Sequence, residues 1–278
     1  MQASTEWVPP TGTLGRILEE TRRRIPSLEV TSPWRPSGEV VAGAPTPPLP
    51  PSLRQALVRN TVAIIAELKR RSPSGGSLNE DLDPQAQAES FERGGAAAIS
   101  VLTEPAFFGG SLQDMTTVRR AVGLPILKKD FHIHRSQLLE ARMKKASAVL
   151  LIARALSPRE LPELLRRAKS LQLETVVEVR SEAELERALE AGAEMVGVNS
   201  RDLETLEVDE SVPRKLIPRI PRDIVSIWES GVASVDDVRR AADCGADAVL
   251  VGSVLSRSAD PESLVRSLTN VQKQSRRG

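Results

Sequence analysis

Residues Val62–Gly76 read VAIIAELKRRSPSGG. The run opens on apolar residues at odd and even positions alike, the pattern of a strand covered on both faces, as in a parallel sheet. It ends on Glu67 and Lys69, which lie one side-chain period apart and point the same way. The run closes with LKRRSPSGG, not with the G-x-G-x-x-G turn that an open doubly wound sheet carries after its first strand. The stretch therefore favours a closed barrel, with a carboxylate and an ammonium at the end of its first strand.

Seven more runs of the same kind occur along the chain: AAISVL from residue 97, PILKKD from 125, AVLLIA from 148, ETVVEV from 174, EMVGVN from 194, IVSIWE from 224 and AVLVGS from 248. The gaps hold amphipathic stretches such as SPRELPELLRRAKSLQ and SEAELERALEAGA, with Ser or Asp at the expected N-caps. Strictly alternating βα units demand right-handed crossovers and a parallel sheet, and eight units close into a (β/α)8 TIM barrel of the α/β class. The reading divides the chain into an N-terminal helix (near Gly12–Arg24) with a Pro-rich connector over 1–51, a barrel over 52–270 and a frayed polar tail over 271–278.

The chain has 278 residues, 40% hydrophobic and 27% charged, which suits one barrel with an added arm. Lys plus Arg number 38 against 37 Asp plus Glu, so binding to nucleic acid by counterion release is not expected. The single cysteine, Cys244, excludes an internal disulfide and reads as packing. His132 and His134 have no third nitrogen or sulfur ligand nearby, so no metal is expected. No apolar run reaches the length of a membrane span and no signal pattern opens the chain, so the expectation is a cytoplasmic protein; a monomer or weak homodimer is expected, with nothing in the sequence to fix the oligomeric state.

In such a barrel the active site lies at the carboxyl ends of the strands. Those ends carry Glu67 and Lys69, Thr103 and Glu104, Lys128 to Asp130, Glu178, Asn199 with Arg201, Glu229 with Ser230, and Gly252 with Ser253. Any one of these could be a solvated rim residue; together they point at one cavity. Gly231, Gly252 and Ser253 lie at or before helix starts after strands seven and eight, a common phosphate corner, and the Ser72–Gly76 loop could close over it. Acid–base chemistry on a phosphorylated small molecule is the resulting expectation.

The segments IIAELKRRSPSGG, VLTEPAFFGGS, LPILKKDF, LLIARAL, VVEV, GVNSRDLETL and ESGV, in this order, resemble the indole-3-glycerol-phosphate synthase family of tryptophan biosynthesis. The resemblance implies closure of 1-(2-carboxyphenylamino)-1-deoxyribulose 5-phosphate to indole-3-glycerol phosphate, with loss of carbon dioxide and water and no cofactor. It makes Lys129 the general acid, its pKa lowered by a partly dry pocket, and Glu178 the base. Lys69 would hold the substrate carboxylate and later protonate the departing hydroxyl, with Glu67 beside it. Asn199, Arg201, Glu229 and Ser230 would bind polar groups and Phe108 and Phe131 the aromatic ring, while Ser72, Gly231, Gly252 and Ser253 take phosphate. Lys128, on the opposite face of its strand, is left to packing or the surface. One departure is Trp228, where the family usually has a small residue; by alternation it faces the helices.

Three rivals are weaker. A related sugar-phosphate isomerase would need a cysteine at a strand end, and Cys244 is not at one. A scaffold that has lost its chemistry would be expected to lack Lys129 or Glu178. An RNA-binding role lacks both net charge and an aromatic platform.

Overall fold

The computed structural model describes residues 7–31 and 48–274. Most of the Pro-rich connector, residues 32–47, lies outside the described residues, as do 1–6 and 275–278. Eight strands, β1 (Ala63–Leu68), β2 (Ala98–Leu102), β3 (Ile126–Lys129), β4 (Ala148–Ile152), β5 (Glu174–Val179), β6 (Met195–Asn199), β7 (Val225–Glu229) and β8 (Ala248–Val251), form a closed barrel. All pairings around the barrel are parallel, and β1 closes the ring against both β2 and β8. The strand starts fall within a residue of those read from the sequence.

Strand parity builds two cores. Inward residues such as Ile65, Leu127, Leu150, Val176, Ile227 and Leu250 fill the barrel, whereas Ile64, Ile99, Val149, Val177, Val198 and Val249 pack against the surrounding helices. The helices start where short polar side chains accept first-turn amides: Asp83, Ser111, Ser181, Ser234 and Asp260. Because the strands are parallel and in register, their last inward residues become neighbours: Glu67 pairs with Ser100 and Asn199 with Glu229.

Both ends of the barrel are covered. The N-terminal helix runs Gly12–Thr31, longer than its sequence suggests, and buries Leu14, Ile17 and Leu18 in the inner cluster at the carboxyl ends of the strands. At the opposite end the short helix Leu53–Leu57 inserts Leu53 and Leu57, and its start is tied to β5 by Ser52 Oγ donating to Glu174 at 2.5 Å. The expected frayed tail is held as far as Gln274. Val271 accepts from the Val62 amide at 2.8 Å, Thr61 and Gln272 form a bridge, and Lys273 pairs with Asp247 at 2.6 Å. Two backbone contacts and an ion pair thus hold the segment across the amino ends of the strands, invisible to a composition that reads as polar. Among the described residues no helix is long and apolar enough to cross a membrane.

Of the two places left open for Lys128, the structure gives the buried one: it faces away from the barrel interior and is fully buried, with its ammonium 3.1 Å from Glu140, 3.5 Å from Asp130 and 3.4 Å from His132 Nε2. His132 Nδ1 lies 2.8 Å from the Leu150 carbonyl, so the ring suits the neutral form with Nδ1–H donating and Nε2 accepting. Burial and the nearby Lys128 push its pKa down to about 3. His134 caps the helix Arg135–Met143, and Cys244, half-buried at the end of Val235–Asp243, has its thiol pKa raised by burial.

Candidate active site

At the carboxyl ends of the strands lies a cavity of about 460 Å³. The residues given a role line it: Glu67 on β1 with Lys69 and Ser72 after it, Phe108 after β2, Lys129 on β3 with Phe131 after it, Glu178 on β5, Asn199 on β6 with Arg201 after it, Glu229 on β7 with Ser230 and Gly231 after it, and Gly252 and Ser253 after β8; Thr103 and Lys128 do not. Their convergence comes from parity, since each strand's last inward position faces the same axis.

The floor is ionic. Lys129 Nζ lies 3.1 Å from Glu229 Oε2 and 3.3 Å from Glu178 Oε2, while Lys69 Nζ lies 2.9 Å from Glu67 Oε1. Ser100 donates to the other Glu67 oxygen at 3.3 Å. Burial by itself would discharge Lys129, but Glu229, Glu178 and Glu67 outweigh it and hold the ammonium well above the ordinary lysine value. This reverses the direction expected from a dry pocket alone; three carboxylates meet one amine there. Glu67 shows the same contest: burial raises its pKa, yet Lys69 and Lys129 bring it below the usual carboxylate range.

Glu229 is the exception. Burial dominates over Lys129, and Glu178 and Glu67 add repulsion, so its pKa is pushed up to about 7. Among the described residues the Lys129 ammonium at 3.1 Å is the one cation against its carboxylate, and no other donor meets either oxygen. Glycine makes the room these carboxylates occupy. A methyl group at Gly197 on β6 would collide with Glu229, and one at Gly252 would press on Glu67 and Lys69. Gly252 thus shapes the ionic floor as well as the corner above it.

An apolar slot stands beside the ions. Phe108 and Phe131 have ring centroids 6.1 Å apart, tilted by 36°, and Leu150 and Ile152 continue the wall. Asn199 accepts from the Arg201 amide at 2.9 Å, and Arg201 donates to the Leu206 carbonyl at 2.7 Å, which leaves its half-buried guanidinium on the cavity rim. Ser72 Oγ accepts from the Gly75 amide at 3.0 Å within a small hairpin that pairs Arg71–Ser72 with Gly76–Ser77. Glu104, by contrast, spends its carboxylate accepting from the amides of Ala106, Phe107 and Phe108, and so fixes the loop that presents Phe108.

Sequence reading missed contributors from three parts of the chain. Thr13 and Ile17 come from the N-terminal helix, and Leu203 and Leu206 from the loop after β6. Arg257, one turn beyond Ser253 on the helix Ser253–Arg257, reaches the same cavity near Gly75. Only the spacing of Arg257 from the Gly-Ser pair could have signalled it. Among the described residues, no group of three His, Cys, Asp or Glu side chains is arranged to hold a metal ion.

Solved structures share the architecture. Thiamine phosphate pyrophosphorylase from Pyrococcus furiosus superposes with a TM-score of 0.58 at 19% identity, over 78% of this chain and 96% of that one, a likeness of fold alone. Closer relatives carry more. The indole-3-glycerol phosphate synthase of Mycolicibacterium gilvum is 44% identical over 255 residues, 92% of this chain and 93% of its own. That of a Parafrankia species is 50% identical over 207 residues, covering 74% and 77%. The family model for indole-3-glycerol phosphate synthase matches residues 14–268, from the helix over the mouth to the last helix of the barrel. The chain belongs to the indole-3-glycerol phosphate synthase family.

Proposed function

We propose that the cluster around Lys129 carries the chemistry of the family's reaction and that the corner at Gly231, Gly252 and Ser253 takes the substrate's phosphate. The reaction is that of a carboxy-lyase of tryptophan biosynthesis acting on a small phosphorylated substrate. In it, 1-(2-carboxyphenylamino)-1-deoxyribulose 5-phosphate closes its ring, then loses carbon dioxide and water. The observation that carries the assignment of roles is the Lys129 ammonium, held charged between Glu178 and Glu229 on the cavity floor beside the Phe108–Phe131 slot.

The roles come from charge and reach. Attack of the aromatic carbon on the ribulose carbonyl turns that oxygen into a base stronger than an amine, so a lysine that enters charged can deliver its proton there. Lys69, paired with Glu67, meets the substrate carboxylate and later protonates the departing hydroxyl. Glu178 removes the proton from the new five-membered ring. Glu229, which meets no donor beyond the Lys129 ammonium, accepts from a sugar hydroxyl, and Asn199, Arg201 and Ser230 continue that polar wall. Phe108 and Phe131 form the apolar wall against which the aromatic ring packs. Ser72 and the Arg257 guanidinium face the phosphate from the rim, Arg257 supplying charge that backbone amides lack. We take the working form to be a cytoplasmic monomer or weak homodimer that needs no cofactor.

The test is to mix the purified protein with the carboxyphenylamino deoxyribulose phosphate in the presence of a chelator and monitor the rise of indole fluorescence. A rise that disappears in Lys129→Ala supports the assignment. Absence of any rise in the wild-type protein would overturn it.

A further inference from the structure

The turn after β7 is built in an unusual way. Ser230 and Gly231 both have left-handed backbones, φ +66° and +79°, and at Ser230 a side chain bears the strain that glycine escapes. Two donors hold the Ser230 carbonyl: the Trp228 indole Nε1–H at 3.1 Å and the Ser200 hydroxyl at 2.8 Å. Ser200 also reaches the Glu229 carbonyl at 2.8 Å. Trp228 itself is buried in the layer between strands and helices, behind the barrel wall.

In a trans peptide the carbonyl of one residue and the N–H of the next point in opposite directions. No cis bond occurs among the described residues, so fixing the Ser230 carbonyl toward Trp228 and Ser200 aims the Gly231 N–H the other way. Gly231, Val232 and Ala233 line the cavity, and among the described residues neither the Gly231 nor the Val232 amide meets an acceptor. Such an amide is a ready donor to an anion.

We propose that Trp228 is a positioning residue for phosphate: its indole N–H locks the Ser230–Gly231 peptide so that the Gly231 amide faces the substrate's phosphate group. The inference rests on the phosphate assignment made above. Trp228 touches no reacting atom, so its loss acts on binding of the phosphorylated substrate and not on the chemical step.

The experiment compares the full-length wild-type chain with Trp228→Phe, which keeps a large aromatic ring but no N–H, and with 3-benzothienylalanine placed at 228, in which sulfur replaces the N–H. Inorganic phosphate is the probe, as a competitive inhibitor of turnover. The expected result is a rise of about threefold to tenfold in both the phosphate inhibition constant and KM, the loss of one hydrogen bond, with kcat within about twofold. Unchanged phosphate inhibition in the variants, whatever happens to their melting temperature, overturns the inference and leaves the phosphate corner standing. Failure of phosphate to compete with substrate in the wild-type protein overturns the corner and the inference together. Should Trp228→Phe not fold, the benzothienyl variant reads the same two outcomes.

Discussion

Lys129 shows how a single residue's character is decided by its neighbours. Burial favours the neutral amine, yet Glu229, Glu178 and Glu67 hold it charged. Replacing it with alanine removes the proposed acid and leaves buried carboxylates facing one another, and turnover should fall by more than about a hundredfold. Steady-state indole fluorescence checks this, with circular dichroism to verify the fold. Gly197 is as constrained, because a side chain there would occupy the space of the Glu229 carboxylate. Gly197→Ala should cost about a hundredfold in kcat, the effect of displacing a positioned group by roughly an ångström. A Gly197→Ala enzyme with unchanged kcat would show that Glu229 need not sit where it does.

At the scale of elements, the strand β3 carries its functional residues on alternate faces. Lys129 and Phe131 look into the barrel, while Lys128 and the Asp130 carboxylate form a buried ion pair that the half-buried Glu140 and the neutral His132 ring complete. Burial would raise the Asp130 pKa, but Lys128, His132 and Arg24 bring it below the ordinary range, with Thr103 donating at 2.6 Å. Arg24 belongs to the helix over the mouth, so this carboxylate also ties that helix to the strand bearing Lys129, at 3.4 Å. Lys128→Met would keep the volume but take from the buried Asp130 its nearest cation, leaving it Arg24 and Thr103, and take from the half-buried Glu140 its ion-pair partner. Urea denaturation should show a loss of about 3 kcal/mol or more, the usual result of breaking a buried ion pair from one side. A neutral result would mean that water reaches the cluster.

For the whole molecule, the pH dependence of stability carries a signature of the site. The Glu229 pKa stands at about 7 in the folded chain against an ordinary 4.5. Between those values the folded state keeps a proton that the unfolded chain releases, so this group's contribution to stability is complete below pH 4.5 and is lost as the pH rises through about 7. Denaturation of wild type and Glu229→Gln across this window should show the wild type losing stability relative to the variant as pH increases. Parallel curves would refute the shifted pKa.

The barrel and the ring of polar strand ends were legible because both depend on short-range patterns: alternation along a strand, helical spacing between strands, and the rule that parallel strand ends meet on one axis. Residues as far apart as Glu67 and Ser253 could be assigned to one mouth on that basis. What the pattern could not carry is how strongly groups from different strands act on one another. The direction of the Lys129 shift, the burial of Lys128, the helix lying over the mouth and the Trp228 bond to the Ser230 carbonyl all arise between parts of the fold that pattern does not relate. The order of residues was enough for the architecture and for the strand-end side chains that face the cavity, but not for those that the N-terminal helix, the loop after β6 and Arg257 bring to it. Their charge states and the orientation of the turn after β7 were set only once the chain had folded, because electrostatic and hydrogen-bond energies depend on distances through space, not along the chain.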